Sequence, residues 1–220
     1  NSVDPDPFVK GGLYAAGTLY KTGDYKPYLY KTKDYGKSWE KIDFGIQKNH
    51  FTRVLRADPK RKGLLYAGTE SGVYVSFDDG ESWNSFQHNL PLVPITDLTI
   101  KNNNLIAATQ GRSVWLIDDL TPLHQLNHEV LSSDFHIFKP IGSYRMGYPS
   151  SRTNSSKNGI NHHNGVKVFF NIDSTQVWKD SLRVSLEFMD SNKKTIKVFS
   201  NFSKENTLII KNGSNSFVWN

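Results

Sequence analysis

The chain has 220 residues, 37% of them hydrophobic and 13% aromatic, which is enough for a packed core in one large domain or two small ones and excludes wholesale disorder. It has no cysteine, which excludes a disulfide framework and any thiolate metal site. The net charge of +6 is spread along the chain, with Lys60-Arg61-Lys62 the densest basic run, a pattern of a solvated mixed-charge surface and not of a nucleic-acid footprint.

In chain order, residues 1–9 contain Pro5 and Pro7 and read as an opening loop. Leu13-Tyr14-Ala15-Ala16-Gly17-Thr18 reads as a short strand whose small residues suit close packing, and residues 20–27 as an irregular insertion around Gly23 and Asp24. Tyr28-Leu29-Tyr30 enters a turn motif, Thr32-Lys33-Asp34-Tyr35-Gly36-Lys37-Ser38-Trp39, and residues 39–42 alternate as its return strand. The next strands cover residues 51–58, 65–69, 72–77 and 83–86. Asp58-Pro59 is a turn among them, and Ser76-Phe77-Asp78-Asp79-Gly80-Glu81-Ser82-Trp83 is a second copy of the turn motif. A third group, residues 95–100, 105–109 and 113–117, turns at Asn102-Asn103-Asn104 and has no copy. Residues 120–131, with Pro122, allow a helical turn or more, residues 135–140 an extended bridge, and residues 142–164, rich in Ser, Gly and Asn, a linker. Strands over residues 165–170, 181–190, 195–199, 206–210 and 215–219 make an immunoglobulin- or fibronectin-like pattern. No apolar run approaches the roughly 20 residues of a transmembrane helix, and no signal peptide is visible.

Both turn motifs fit Ser/Thr-x-Asp-x-Gly-x-x-Trp, and their tryptophans stand 44 positions apart. Asp34 and Asp78 suit accepting hydrogen bonds from backbone N–H groups two residues on, and Thr32 and Ser76 add a weaker local bond. Gly36 and Gly80 supply the positive φ of a tight hairpin. Trp39 and Trp83 are the large apolar groups that pin each hairpin to a core. A period of about 40–50 residues in a β-rich chain points to propeller blades. The expected fold class is therefore all-β: a partial β-propeller of about three blades over residues 1–125, a linker over 126–164 and a β-sandwich over 165–220. Closed propellers have about four to eight blades. The remaining blades are expected from a longer parent or another chain, and the ends at Asn1 and Asn220 read as those of a processed or truncated fragment.

The two motifs resemble the Asp-box (BNR) repeats of sialidases, sortilin-type receptors and xyloglucanase-like glycoside hydrolases. Ala107-Ala108-Thr109-Gln110-Gly111-Arg112-Ser113-Val114-Trp115-Leu116-Ile117-Asp118-Asp119-Leu120 is similar to the closing motif of bacterial "glycosyl hydrolase, BNR repeat" proteins with a sortilin-like propeller, and Phe217-Val218-Trp219 to a strand of the β-sandwich that follows it there. The resemblance covers nearly the whole chain. It implies structural Asp boxes at the blade periphery (Thr32, Asp34, Gly36, Trp39 and Ser76, Asp78, Gly80, Trp83) and export of the parent to the periplasm, cell surface or medium. It also implies a carbohydrate or a peptide as partner.

Candidate chemistry is sparse. Arg112, in a tight turn, together with Asp118 and Asp119, makes the candidate ligand-binding set. Arg53 and Arg56 lie on the first strand of a blade. A sialidase needs three converging Arg residues with a Tyr nucleophile and its Glu partner, and that set is not completed here. Asp118 and Asp119, as neighbours on a strand, point to opposite faces and make a poor acid–base couple with each other. His162-His163 has no third ligand at zinc spacing and reads as a polar loop. Nucleophile elbow, phosphate-binding loop and dinucleotide fingerprint are all missing, so no cofactor is expected. Tyr20, Tyr25, Tyr28 and Tyr35 suit either a sugar-stacking surface or strand-edge packing. The functional expectation is a binding or scaffold portion without catalysis of its own. The alternatives are part of a glycoside hydrolase whose catalytic residues lie mostly outside this chain, and a sortilin-like peptide binder.

Overall fold

Short alternating runs broken by Gly, Pro, Asp and Asn fold Asn1–Leu120 into three antiparallel meanders. The structure, a computed structural model, describes residues 1–143, 165–173 and 182–220, which divide into two units, Asn1–Leu120 and Thr121–Asn220. The protein is all-β, with several small antiparallel sheets.

The first sheet contains β1 (Ser2–Pro5), β2 (Leu13–Leu19), β3 (Asp24–Thr32) and β4 (Glu40–Lys41), in that order. The second repeats the plan with β5 (Thr52–Ala57), β6 (Leu65–Thr69), β7 (Gly72–Ser76) and β8 (Asn84–Ser85). The third has only β9 (Ile95–Lys101), β10 (Asn104–Thr109) and β11 (Val114–Ile117). Strand β5 packs on β1 and β2, and β9 packs on β5 and β6, so the sheets stack face to face in chain order. Leu29, Ile42, Ile46, Leu55, Leu65, Tyr74 and Trp83 fill the space between the first two.

Two expectations need correction here. Residues 1–9 are not only a loop, because Ser2–Pro5 pairs with Leu13–Ala16. Pro5 is tolerated because β1 is an edge strand, where its missing N–H breaks no ladder bond. Residues 20–27 are not irregular throughout: a single 3₁₀ turn, Tyr20–Thr22, ends at Gly23 with φ 82°, and β3 begins at Asp24.

The structure also exposes a second internal repeat. Asp6-Pro7 precedes Leu13-Tyr14-Ala15 as Asp58-Pro59 precedes Leu65-Tyr66-Ala67. In both, the tyrosine hydroxyl of the second strand donates back to the aspartate of the preceding turn: Tyr14 to Asp6 (3.1 Å) and Tyr66 to Asp58 (3.4 Å). Each sheet thereby ties its first turn to its second strand.

In the second unit, helices α1 (Thr121–Gln125) and α2 (His128–Ser132) precede β12 (Phe135–Ile137). Asn127 caps α2 by accepting from the Val130 N–H. Strand β12 pairs with β13 (Val166–Ile172), which pairs with β16 (Gly213–Trp219). Residues 135–137, read as part of an extended bridge, are thus a sheet strand, and the first unit ends at Leu120. Strands β14 (Ser185–Met189) and β15 (Thr195–Ser200) form a separate two-stranded sheet. Val168, Phe170, Ile172, Leu186 and Leu208 make the core. Residues 206–210, expected as a strand, contribute only an isolated bridge between Thr207 and Ser200. The expected linker beyond residue 143, His162-His163 and the start of the strand expected at 181 lie outside the described residues.

Candidate functional site

The two turn motifs close on the same hydrogen bonds. The Thr32 hydroxyl donates to Asp34 (2.7 Å), while its oxygen accepts from the Gly36 N–H (3.1 Å). Asp34 accepts from the Ser38 N–H (2.9 Å) and the Ser38 hydroxyl (2.6 Å). Ser76, Asp78, Gly80 and Ser82 repeat the set. The aspartate therefore reaches four residues forward, not two. The short-range N–H bonds go to the Thr or Ser oxygen, because consecutive positive φ values at Tyr35-Gly36 and Asp79-Gly80 turn the chain too tightly for an ordinary Asx-turn.

These bonds hold both carboxyls ionised. The Ser38 hydroxyl, then the Ser38 N–H, keep Asp34 at about 2, below its ordinary 3.8. For Asp78 burial pushes upward, but the Ser82 hydroxyl and N–H outweigh it and the carboxyl is again lowered. A depressed carboxyl contributes stability that is complete above its ordinary value and is lost as pH falls through the folded one. Acid titration followed by NMR should therefore show the Ser38 amide shifting with a midpoint near pH 2, and the Ser82 amide shifting below the ordinary carboxylate range. A midpoint at 3.8 for Asp34 would contradict the geometry.

A buried polar cluster joins the first sheet to the second hairpin. Lys31 is almost fully buried and donates to the Asp79 carboxylate and to the Asp79 carbonyl, each at 3.1 Å. The Tyr14 hydroxyl donates to Asp79 (2.6 Å) as well as to Asp6. Burial, followed by the bond to Asp79, raises the Tyr14 hydroxyl well above its ordinary range, so it stays a neutral donor. Two carboxylates meet at one tyrosine here, but the sealed Asp58–Tyr66 pair of the second sheet repeats half of the arrangement away from solvent. The cluster is a tie between sheets.

The expected site residues are scattered. Arg112 is exposed in the β10–β11 turn, between Gly111 at φ 86° and Ser113 at φ 61°, and its carbonyl accepts from the Trp115 indole. Asp118 and Asp119 follow the other end of β11, whose four residues span about 13 Å at the usual rise per strand residue. Asp119 is buried and accepts from the Asn103 amide (2.9 Å). The structure does not bring Arg112 together with either aspartate. Arg56 is committed to the Leu98 and Leu55 carbonyls and to Asp97, with Asp4 at 3.8 Å, and binds three first strands together. Among the described residues no three His, Asp or Glu side chains gather to hold a metal.

One concave surface does gather binding chemistry. Tyr20, on the 3₁₀ turn, stacks on Phe51 with centroids 5.0 Å apart and planes at 11°, and Tyr25 tilts against the same Phe51 at 6.1 Å. The Arg53 guanidinium lies 5.2 Å from the Phe51 ring and 5.9 Å from the Tyr20 ring, and is paired with Glu70. Beside them a cleft of about 340 Å³ is lined by Thr18, Leu19, Tyr20, Lys21, Thr22 and Arg53, with Asn1 at its rim. The Thr18 hydroxyl is enclosed with no hydrogen-bond partner. Tyr20 and Tyr25 keep 36% and 53% of their surface in solvent. Of the four tyrosines singled out in the sequence, these two converge. Tyr28 donates to Asp24 with Lys41 over its ring, and Tyr35 lies at the far end of the first sheet against Gly11. Phe51 and Glu70 were missed, because only the stacking of the second sheet on the first brings them to Tyr20.

No known protein family matches the sequence, and no curated protein does. Among solved structures the chain is similar to a GH74 xyloglucanase from Xanthomonas campestris, at 15% identity and TM-score 0.42 over 54% of this chain and 22% of that one. A GH74 enzyme of Niastella koreensis matches at 15% identity and TM-score 0.43, over 79% of this chain and 28% of that one. YCF48 bound to a D1 peptide matches at 14% identity and TM-score 0.36, over 90% and 52%. The chain spans between about a fifth and a half of the length of these structures.

Proposed function

We propose that this chain is the ligand-binding portion of an Asp-box β-propeller protein, that it carries no catalysis of its own, and that its ligand is a carbohydrate taken at Tyr20, Tyr25 and Arg53, with the buried Phe51 holding these side chains in place. The observation that carries the reading is the Tyr20–Phe51 stack with Arg53 above it, beside a cleft of about 340 Å³. Exposed aromatic faces match the C–H face of a sugar ring, and a guanidinium–carboxylate pair matches its hydroxyls. The Asp34 and Asp78 carboxylates support the non-catalytic part, since the hairpins already use them. The proposal includes residence outside the cytoplasm, a propeller portion ending near residue 120, an immunoglobulin-like sandwich in the second unit, and further blades from the parent protein.

The test is affinity electrophoresis through gels containing soluble polysaccharides of several backbones. At least one gel should retard the wild-type chain. Tyr20→Ala and Arg53→Ala should each weaken the retardation tenfold or more without changing the far-UV circular dichroism. Retardation that survives both substitutions would place the ligand elsewhere and overturn the reading.

A further inference from the structure

The aromatic–arginine cleft holds more positive charge than its own hydrogen bonds use. Arg53 donates from Nε and Nη2 to a single oxygen of Glu70, at 2.8 and 2.5 Å. Its Nη1 makes no hydrogen bond among the described residues. The guanidinium is nevertheless fixed, by that carboxylate and by the Phe51 and Tyr20 rings beside it.

Lys21 lines the same cleft from the 3₁₀ turn, one residue after Tyr20. It is exposed, and among the described residues no carboxylate pairs with it. The acids of this corner are committed elsewhere. Asp24, three residues on, accepts from the Tyr28 hydroxyl and the Lys26 N–H, and Glu70 is held by Arg53. Two cations and one carboxylate leave a net positive charge at the cleft. An exposed lysine is ordinarily a solvated one. What sets Lys21 apart is its place, next in the chain to a stacking tyrosine and in one cleft with an arginine whose Nη1 is unused.

We propose that the sugar taken at this surface is a uronic acid, with its carboxylate between the Lys21 ammonium and the Arg53 Nη1. The inference rests on the carbohydrate reading above and names the class of sugar. A hexuronate carries its carboxylate on C5, at the edge of the ring. Stacking the C–H face on Tyr20 therefore directs the carboxylate sideways, to the cleft wall, where ammonium and guanidinium N–H groups give charge-assisted hydrogen bonds. Glu70 is left for the ring hydroxyls. A neutral hexose has a hydroxymethyl group at the same carbon and offers the two cations only an uncharged acceptor. The volume of about 340 Å³ lies at the small end of ligand sites, which suits one ring and not a long stretch of chain.

The test is titration calorimetry at physiological salt with oligosaccharides of polygalacturonate, alginate and hyaluronan, each in its native and its carboxyl-reduced form. Reduction keeps the linkages and the chain length and removes the charge. At least one native form should bind about fivefold or more tightly than its reduced partner. Lys21→Gln should abolish that difference, and Tyr20→Ala should weaken both forms. Lys204→Gln, an equal loss of charge at an exposed position of the second unit, should leave the preference intact. Equal binding of the two forms, still dependent on Tyr20, would overturn the uronate inference and leave the carbohydrate reading standing. A preference that Lys204→Gln reduces as much as Lys21→Gln would be a general attraction of polyanions and would overturn it too. If no native form binds, the inference fails, and the carbohydrate reading falls with it only if the polysaccharide gels also retard nothing.

Discussion

Trp83→Ala should be among the most destabilising single substitutions in the first unit, and Trp39→Ala, at the same place in the same motif, should be nearly silent. Trp83 is 3% exposed and Trp39 44%. The Trp83 indole fills the space between two sheets and bonds to Ile42, whereas the Trp39 indole bonds only to Gly36 of its own turn (3.1 Å). Truncating a buried aromatic of this size costs about 3–5 kcal/mol, through lost burial and the cavity left behind. An exposed side chain without tertiary partners costs roughly 0.5 kcal/mol. Urea unfolding of the two variants measures the difference, and similar midpoints would mean that the tryptophan acts only within its hairpin.

Lys31→Met should be the second large effect. It leaves the Asp79 carboxylate without its closest cation, beside a tyrosine hydroxyl that burial keeps neutral. Removing one partner of a fully buried pair costs about 3–5 kcal/mol. Asp79 keeps 29% of its side chain in solvent and has Lys33 at 3.8 Å, so the expected loss is nearer 2–3 kcal/mol. Asp79→Asn keeps a residue that tolerates the positive φ at this position and removes the charge. Combined with Lys31→Met it should therefore cost at least about 1 kcal/mol less than the two single changes added together. Additive losses in the double variant would show that the pair does not couple the sheets.

Much of the fold was legible because its signals are local. The Ser/Thr-x-Asp-x-Gly-x-x-Trp spacing marks both hairpins, and the short runs at residues 65–69 and 95–100, bounded by turn residues, mark strands that formed as expected. The misses have physical causes. Strand β1 was hidden by Pro5 and Pro7, since whether a proline is harmful depends on whether its strand lies at an edge. The Asp-Pro repeat before Tyr14 and Tyr66 was present in the sequence, but an insertion around residues 20–23 sets it at a spacing of 52, not 44, and hid the match. Residues 135–140 read as extended, but the pairing of β12 was hidden because its partner β13 lies some thirty residues on.

The candidate site was less legible. Tyr20 and Tyr25 stood out as aromatics in a polar insertion, but Phe51 and Glu70 look like an ordinary strand start and an ordinary turn. Nothing local says that stacking of the second sheet on the first will bring Phe51 under Tyr20. Arg112 stood out for its tight turn and Asp118-Asp119 as paired carboxylates, but β11 sets them at its opposite ends.

The central claim is that this chain binds a carbohydrate at the Tyr20–Tyr25–Arg53 surface without cleaving it. The most direct measurement compares binding and release of reducing ends on the same polysaccharide, for the wild-type chain and for Tyr20→Ala. Binding that falls at least tenfold in the variant, with no reducing ends released by either protein, is the expected result. Reducing ends released by the wild-type chain, and still released by Tyr20→Ala, would show a catalytic centre elsewhere in these residues and contradict the account.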